Sequence, residues 1–175
     1  MAFPVSFSEQ SCQQRVGLGI DVHAFAPVEA GRALVLGGVT IPYPRGLEGH
    51  SDADVLVHAV MDALLGAARL ADAEDIGALF PDTDPAYKDA NSLMMLSTVA
   101  ELLTVAAYRI EDIDCVLIAQ APRLSPYREQ MRANIAHALH IQVEQVGLKA
   151  TTTEHLGFEG RGEGISAHAL ALLSF

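Results

Sequence analysis

Apolar runs broken by glycine, proline and aspartate divide the chain into short elements. Residues 15–23 are apolar and glycine-containing and predict a strand. Leu34-Val35-Leu36 and Val39-Thr40-Ile41 flank Gly37-Gly38, which predicts a hairpin with the glycines in its tight turn. Val55, Leu56, Val57, Ala59, Val60, Leu64 and Leu65 predict a helix running to about Leu70, with Ser51 as N-cap and Asp54 at the third helical position. Residues 71–88 are rich in Asp, Pro and Gly and predict a loop, long enough to be functional or disordered. Residues 92–108 predict a second helix, with Leu93, Leu96, Val99, Ala100 and Leu103 on one face. Residues 113–119 read as a buried strand. Ser125-Pro126 reads as the N-cap and first-turn proline of a third helix reaching about His140. Residues 146–150 predict a strand and residues 151–164 a Thr/Gly-rich loop. Residues 165–175 fit strand or helix; Ile165, Ala167, Ala169 and Ala171 share a face at period two after Gly164, which selects strand.

These elements predict one α+β domain, a mixed β-sheet with helices packed on one face. The strands are apolar in both phases, as in Val116-Leu117-Ile118-Ala119, so both sheet faces need a cover. Three helices cover one face. A second copy of the chain is the expected cover for the other, which makes a homo-oligomer.

Composition narrows the function. The chain has 175 residues, half of them hydrophobic, and no apolar run approaches the ~20 residues of a membrane helix. A net charge of −11 argues against nucleic acid as a partner. It leaves room for an anionic small ligand neutralised locally by a metal, backbone N–H groups or arginines. Cys12 and Cys115 form no Cys-x-x-Cys pair, which fits a reducing cytoplasm and indicates neither a disulfide framework nor a thiolate metal site. Residues 1–14 lack the marks of a secretory signal or transit peptide and read as a flexible leader to a domain spanning residues 15–175.

Five constellations carry chemistry. Asp21, His23 and His58 supply one carboxylate and two imidazoles, a ligand set that leaves a fourth position open on a catalytic zinc; taken alone they read rather as a strand-end Asp and two unrelated histidines. Asp21 and His23 are two apart, so on a strand they leave the same face. Asp54 and Asp62 flank His58 at i−4 and i+4, and either could orient its distal N–H; both also read as solvated helix charges. His50-Ser51 could hold a phosphate beside the helix N-terminus, though Ser51 also reads as a plain cap. Asp75-Ile76-Gly77 and Phe80-Pro81-Asp82-Thr83-Asp84 could hold the hydroxyls of a diol or could be ordinary turn chemistry. At two predicted strand ends, Ala119-Gln120-Ala121-Pro122-Arg123 could read a base edge and pair a phosphate or be a plain connector with an exposed Arg, and Lys149-Ala150-Thr151-Thr152-Thr153-Glu154 could cradle phosphate and hold a hard cation or be a β-rich Thr run with a rim acid. The segment from Gly157 to Gly164 is too glycine-rich for a regular element and contains no Gly-Lys-Ser/Thr of a Walker A motif.

Taken together and in order, these segments resemble the 2-C-methyl-D-erythritol 2,4-cyclodiphosphate synthase family of non-mevalonate isoprenoid biosynthesis, over essentially residues 15–175. The resemblance implies a phosphorus-oxygen lyase that converts 4-diphosphocytidyl-2-C-methyl-D-erythritol 2-phosphate to the cyclic diphosphate with release of CMP. It implies Asp21, His23 and His58 as ligands of Zn2+ (or another divalent transition metal), and Glu154 as a ligand of Mg2+ or Mn2+ at the diphosphate. It implies His50 and Thr152 as transition-state stabilisers. Substrate contacts carry over to Asp21, Val22, His23, His50, Ser51, Asp75, Ile76, Gly77, Phe80, Pro81, Asp82, Thr83, Asp84, Ala119, Gln120, Ala121, Pro122, Arg123, Leu124, Ser125, Thr151, Thr152, Thr153, Glu154, Phe158 and Arg161. It further implies a cytoplasmic homotrimer with sites between adjacent subunits. Arg123 stands where lysine is usual, Ala71-Asp72-Ala73-Glu74 lengthens the acidic loop, and the leader is extra. Two other readings share these residues: a zinc-dependent phosphohydrolase, and a trimer that binds isoprenoid diphosphates through Arg161 and Glu163.

Overall fold

A computed structural model describes residues 13–81 and 83–175. Among the described residues, six strands and five α-helices form: β1 (Gln14–Ala24), β2 (Leu34–Leu36), β3 (Val39–Ile41), α1 (Val55–Ala68), α2 (Ile76–Leu79), α3 (Ser92–Val105), β4 (Arg109–Ile118), α4 (Arg128–Leu139), β5 (Val146–Thr151), α5 (Gly157–Gly160) and β6 (Gly164–Ser174). Four strands make one sheet in the order β1-β6-β4-β5, and β2 and β3 pair separately as the expected hairpin. β4 and β5 run parallel and the other neighbours antiparallel, so the sheet is mixed, as expected. Gln14 pairs with Ser174, and Gln13 exchanges backbone hydrogen bonds with Phe175. The leader reading, with Cys12, otherwise falls on residues 1–12, outside the described residues. Cys115 is buried in β4, and burial pushes its thiol up to about 12.

The core centres on α1, where all residues but Asp62 and Gly66 are buried. A helix apolar on nearly all sides needs neighbours on every side. β1 and β6 cover one side of it and α3 another. The approach to β1 is close because small residues face each other. A Cβ on Gly17 would come within 1.9 Å of the Ala63 carbonyl oxygen, and one on Gly19 within 2.0 Å of that of Ala59. Gly17, Gly19, Asp21 and His23 alternate along the same face of the strand. The contact that needs the glycines therefore runs directly into the site residues. Gly19→Ala would force α1 away from β1, an overpacking cost of roughly 1–3 kcal/mol and a melting temperature lower by about 2–12 °C. A thermal melt checks it; an unchanged melt would show that helix and strand are not in backbone contact here.

The structure corrects two predicted helix starts. α1 begins at Val55 with Asp54, not Ser51, as its N-cap. The Asp54 carboxylate accepts the Val57 N–H at 3.2 Å and those of Gly37 and Gly38 at 2.9 and 2.6 Å, tying the helix to the hairpin turn. Burial pushes this carboxyl up to about 6, against the opposing pull of those backbone donors. Ala53 takes φ 58°, a left-handed turn that delays the helix. Likewise α4 starts at Arg128, two residues beyond Pro126. Ser125 does not cap it, and its hydroxyl accepts from Arg123 Nε at 3.0 Å. The loop over residues 71–88 contains α2 and a 3-10 turn over Pro85–Tyr87, each capped by an aspartate, Asp75 and Asp84.

Candidate functional site

β1 presents Asp21 and His23 on its helix-facing side, and α1 brings His58 against them. Asp21 Oδ2 lies 3.0 Å from His23 Nε2 and 3.0 Å from His58 Nδ1, and the two nitrogens are 3.2 Å apart. Around a tetrahedral ion with bonds of about 2.0–2.1 Å, neighbouring donors lie about 3.3–3.4 Å apart. The observed triangle is that size within a few tenths of an ångström. It is the one cluster of three potential ligands among the described residues, and it suits a divalent metal. His23 Nδ1 faces the Glu48 carbonyl, which can only accept. In the neutral ring the proton therefore sits on Nδ1 and leaves the Nε2 lone pair for a metal; with no metal bound, the protonated ring donates from Nε2 to Asp21 at 3.0 Å. Burial opposes the Asp21 charge, but hydrogen bonds from His23 and His58 outweigh it and hold the carboxyl well below the usual carboxylate range. Burial also opposes a charged His23, and the hydrogen bond to Asp21 outweighs it, so that ring's pKa is raised.

Neither helix carboxylate orients His58. Asp54 is committed to its cap, and Asp62 accepts the Ile76 N–H at 2.9 Å. Burial raises the Asp62 carboxyl, and that N–H partly offsets it. The outer His58 nitrogen, Nε2, instead meets Ser51 Oγ at 3.1 Å and Ser92 Oγ at 3.0 Å. Ser92 lies at the start of α3 and gave no sign in the sequence, because its partners are 34 and 40 residues away.

The cluster opens into a cavity of about 230 Å³ lined by Asp21, His23, Gly49, His50, Ser51, His58, Ile76, Gly77, Phe80, Tyr87 and Met95. His50 Nε2 is buried there with no hydrogen-bond partner among the described residues. An unmatched buried donor or acceptor is costly, so it marks a place where a ligand group belongs. Ser51 is buried in the wall of this cavity, and Asp54 caps the helix N-terminus beside it. Asp75, Thr83 and Asp84 lie on the exposed rim of this loop, Val22 points to the opposite face of β1, and Asp82 lies outside the described residues.

A second cavity, about 530 Å³, sits past the C-terminal ends of the parallel strands β4 and β5, where α/β sheets commonly bind ligands. Ala119, Gln120, Pro122, Arg123, Leu124, Ser125, Thr151 and Thr152 line it, joined by Arg128, which the sequence reading missed, and Lys149, to which it gave no role. Ala121, Thr153 and Glu154 are not in its wall. Thr152 donates to Glu154 at 2.7 Å. Phe158 and Arg161 line neither cavity; Arg161 is exposed and paired with Glu163 at 2.7 Å. Within one chain the two cavities share no residue.

The chain matches the YgbB family model over residues 14–174. A protein of Moorella thermoacetica named 2-C-methyl-D-erythritol 2,4-cyclodiphosphate synthase is 58% identical over 159 residues, covering 91% of this chain and 94% of that protein. One of the same name from Desulforamulus reducens is 56% identical, covering 91% and 98%. Among solved structures, the bifunctional IspDF of Campylobacter jejuni superposes with a TM-score of 0.87 at 41% identity, covering 94% of this chain and 43% of that one. The CDP complex of Plasmodium falciparum IspF superposes with a TM-score of 0.78 at 34% identity, covering 92% and 96%. With that match spanning both cavities, the chain belongs to the YgbB family, that of the 2-C-methyl-D-erythritol 2,4-cyclodiphosphate synthases.

Proposed function

We propose that this chain converts 4-diphosphocytidyl-2-C-methyl-D-erythritol 2-phosphate to 2-C-methyl-D-erythritol 2,4-cyclodiphosphate and CMP. The observation that carries the reading is the Asp21–His23–His58 triangle, opening into the same cavity as His50 and the Ile76–Gly77 loop. A 2-phosphate oxygen of the substrate forms the new bond to the β-phosphorus. The bond from that phosphorus to the bridging oxygen of the cytidine phosphate breaks, and CMP leaves with the electron pair. No water enters, and the protein supplies no nucleophile.

Asp21, His23 and His58 would hold the metal, Zn2+ or another divalent transition ion, which when bound polarises phosphate oxygen and offsets its charge. Glu154 would ligate Mg2+ or Mn2+, hard cations that take oxygen ligands, with the diphosphate completing the set. The remaining work is positioning, which in well-oriented intramolecular reactions contributes roughly 7–11 kcal/mol. Asp75, Ile76 and Gly77, with the loop from Phe80 to Asp84, hold the methylerythritol hydroxyls. His50 and Thr152 donate to oxygens that gain charge in the transition state. Residues 119–125 and 151–154 seat cytidine and diphosphate, with Phe158 and Arg161 at the edge. The separation of the two cavities within one chain supports a homotrimer in which each complete site draws on two subunits. Incubation with the cytidine-diphosphate substrate is expected to yield CMP and the cyclic product. A linear product heavier by one water would establish a phosphohydrolase instead.

A further inference from the structure

We infer that Ser92 and Asp52 form a relay that selects the metal-binding tautomer of His58, and so act as positioning residues for the metal. The inference rests on the metal reading of the Asp21–His23–His58 set. With no metal bound, His58 Nδ1 faces Asp21 Oδ2 at 3.0 Å and can donate to it; to ligate a metal instead that nitrogen must be bare, which puts the ring proton on Nε2. Two serines meet Nε2, and they pull in opposite directions. Ser92 Oγ–H donates to Asp52 Oδ1. A carboxylate only accepts, so this bond consumes the serine proton and leaves Ser92 Oγ to accept from Nε2–H at 3.0 Å. Ser51 Oγ accepts the Ala53 N–H at 3.1 Å and keeps its own proton. Turned toward His58, that proton would favour the other tautomer, with Nδ1 protonated and closed to metal.

Asp52 is itself fixed. Its Oδ2 accepts the Ser92 N–H at 3.0 Å, and its own N–H donates to the Ala90 carbonyl at 3.0 Å. The Asp89 N–H donates to the His50 carbonyl at 2.8 Å. The end of the acidic loop is thereby stapled to the His50–Asp52 turn. The relay reaches His58 from α3, from outside the cavity, so it can order the ligand without touching substrate. Partners of this kind typically change metal affinity 10–100-fold when removed.

Competition of Zn2+ between the protein and a chromogenic chelator tests the relay without any turnover. Ser92→Ala should weaken Zn2+ binding roughly 10–100-fold, and Asp52→Asn should weaken it too, while Ser51→Ala leaves it within about twofold. Circular dichroism of the metal-free proteins identifies any variant that fails to fold. Independently of any variant, the imidazole nitrogen spectrum of zinc-loaded wild type should show His58 protonated at Nε2 and metal-bound at Nδ1. Wild-type affinity in Ser92→Ala, the loss falling on Ser51→Ala instead, or a metal-bound Nε2 would each overturn the relay. A wild-type chain that takes up no Zn2+ would instead refute the metal set, a distinguishable result.

Discussion

His58→Ala should leave the protein without its metal and lower turnover about a thousandfold, with no rescue by added zinc. The ring contributes one corner of the donor triangle, and the two remaining donors, Asp21 and His23, cannot by themselves fix an ion between strand and helix. A metal polarising phosphate oxygen is worth several kcal/mol of transition-state stabilisation, and about 4 kcal/mol corresponds to that thousandfold. Turnover should not fall to the uncatalysed rate. On the proposed reading His50, Thr152 and the two cavities would still fold the substrate toward its own diphosphate, and positioning is the other large contribution. The fold should survive, because His58 sits at the edge of the core beside the cavity and α1 keeps its remaining apolar contacts. The measurement pairs metal content with turnover of the same preparation. Full activity in a metal-free His58→Ala preparation would refute the assignment.

The reason this site could be anticipated is local. Two residues two apart on a strand share a face whatever the rest of the fold does, so Asp21 and His23 were legible as a same-face pair; the other motifs, in order along the chain, made them a metal set. The apolar pattern around His58 made its helix legible too. What joins them was not local. The close approach of α1 to β1 depends on Gly17 and Gly19 meeting Ala59, Ala63 and Ala67. A single sequence shows those only as small residues in two separate elements. The Ser92–Asp52 relay is harder still, since each residue reads as an ordinary polar residue near a helix start. Capping rules failed where a turn intervened: with Ala53 in a left-handed turn, the N-cap of α1 is Asp54 and not Ser51. A four-residue helix such as α2 is too short to leave a periodic signal. The motifs also could not say which of them share a cavity. That depends on the strand order β1-β6-β4-β5, which puts the metal strand and the threonine strand at opposite edges of the sheet. Three strand spacings separate them, about 14 Å.

That separation gives the second large expected effect, in Leu18→Glu. The face of β1 turned away from α1 carries Val16, Leu18, Ile20 and Val22, which are 49–61% exposed in the single chain. Across the ladder, Val16 pairs with Leu172 and Leu18 with Leu170, so the apolar stripe is two strands wide. Stripes of this kind mark interfaces. A glutamate at position 18 would place an ionised carboxylate against apolar neighbours in every copy, at a cost on the order of several kcal/mol each. Leu18→Glu should therefore sediment as a monomer and lose nearly all turnover. It should still bind zinc, because Asp21, His23 and His58 belong to one chain and lie on the other face of the strand. Complementation makes the test stricter. His58→Ala and Thr152→Ala each damage one half of a site. If sites form between subunits, denaturing and refolding the two inactive variants together should produce some sites with both halves intact, and turnover should reappear. If each site belonged to a single chain, every site in the mixture would carry one defect and turnover would stay absent. A fully active monomer of Leu18→Glu would exclude the shared site outright.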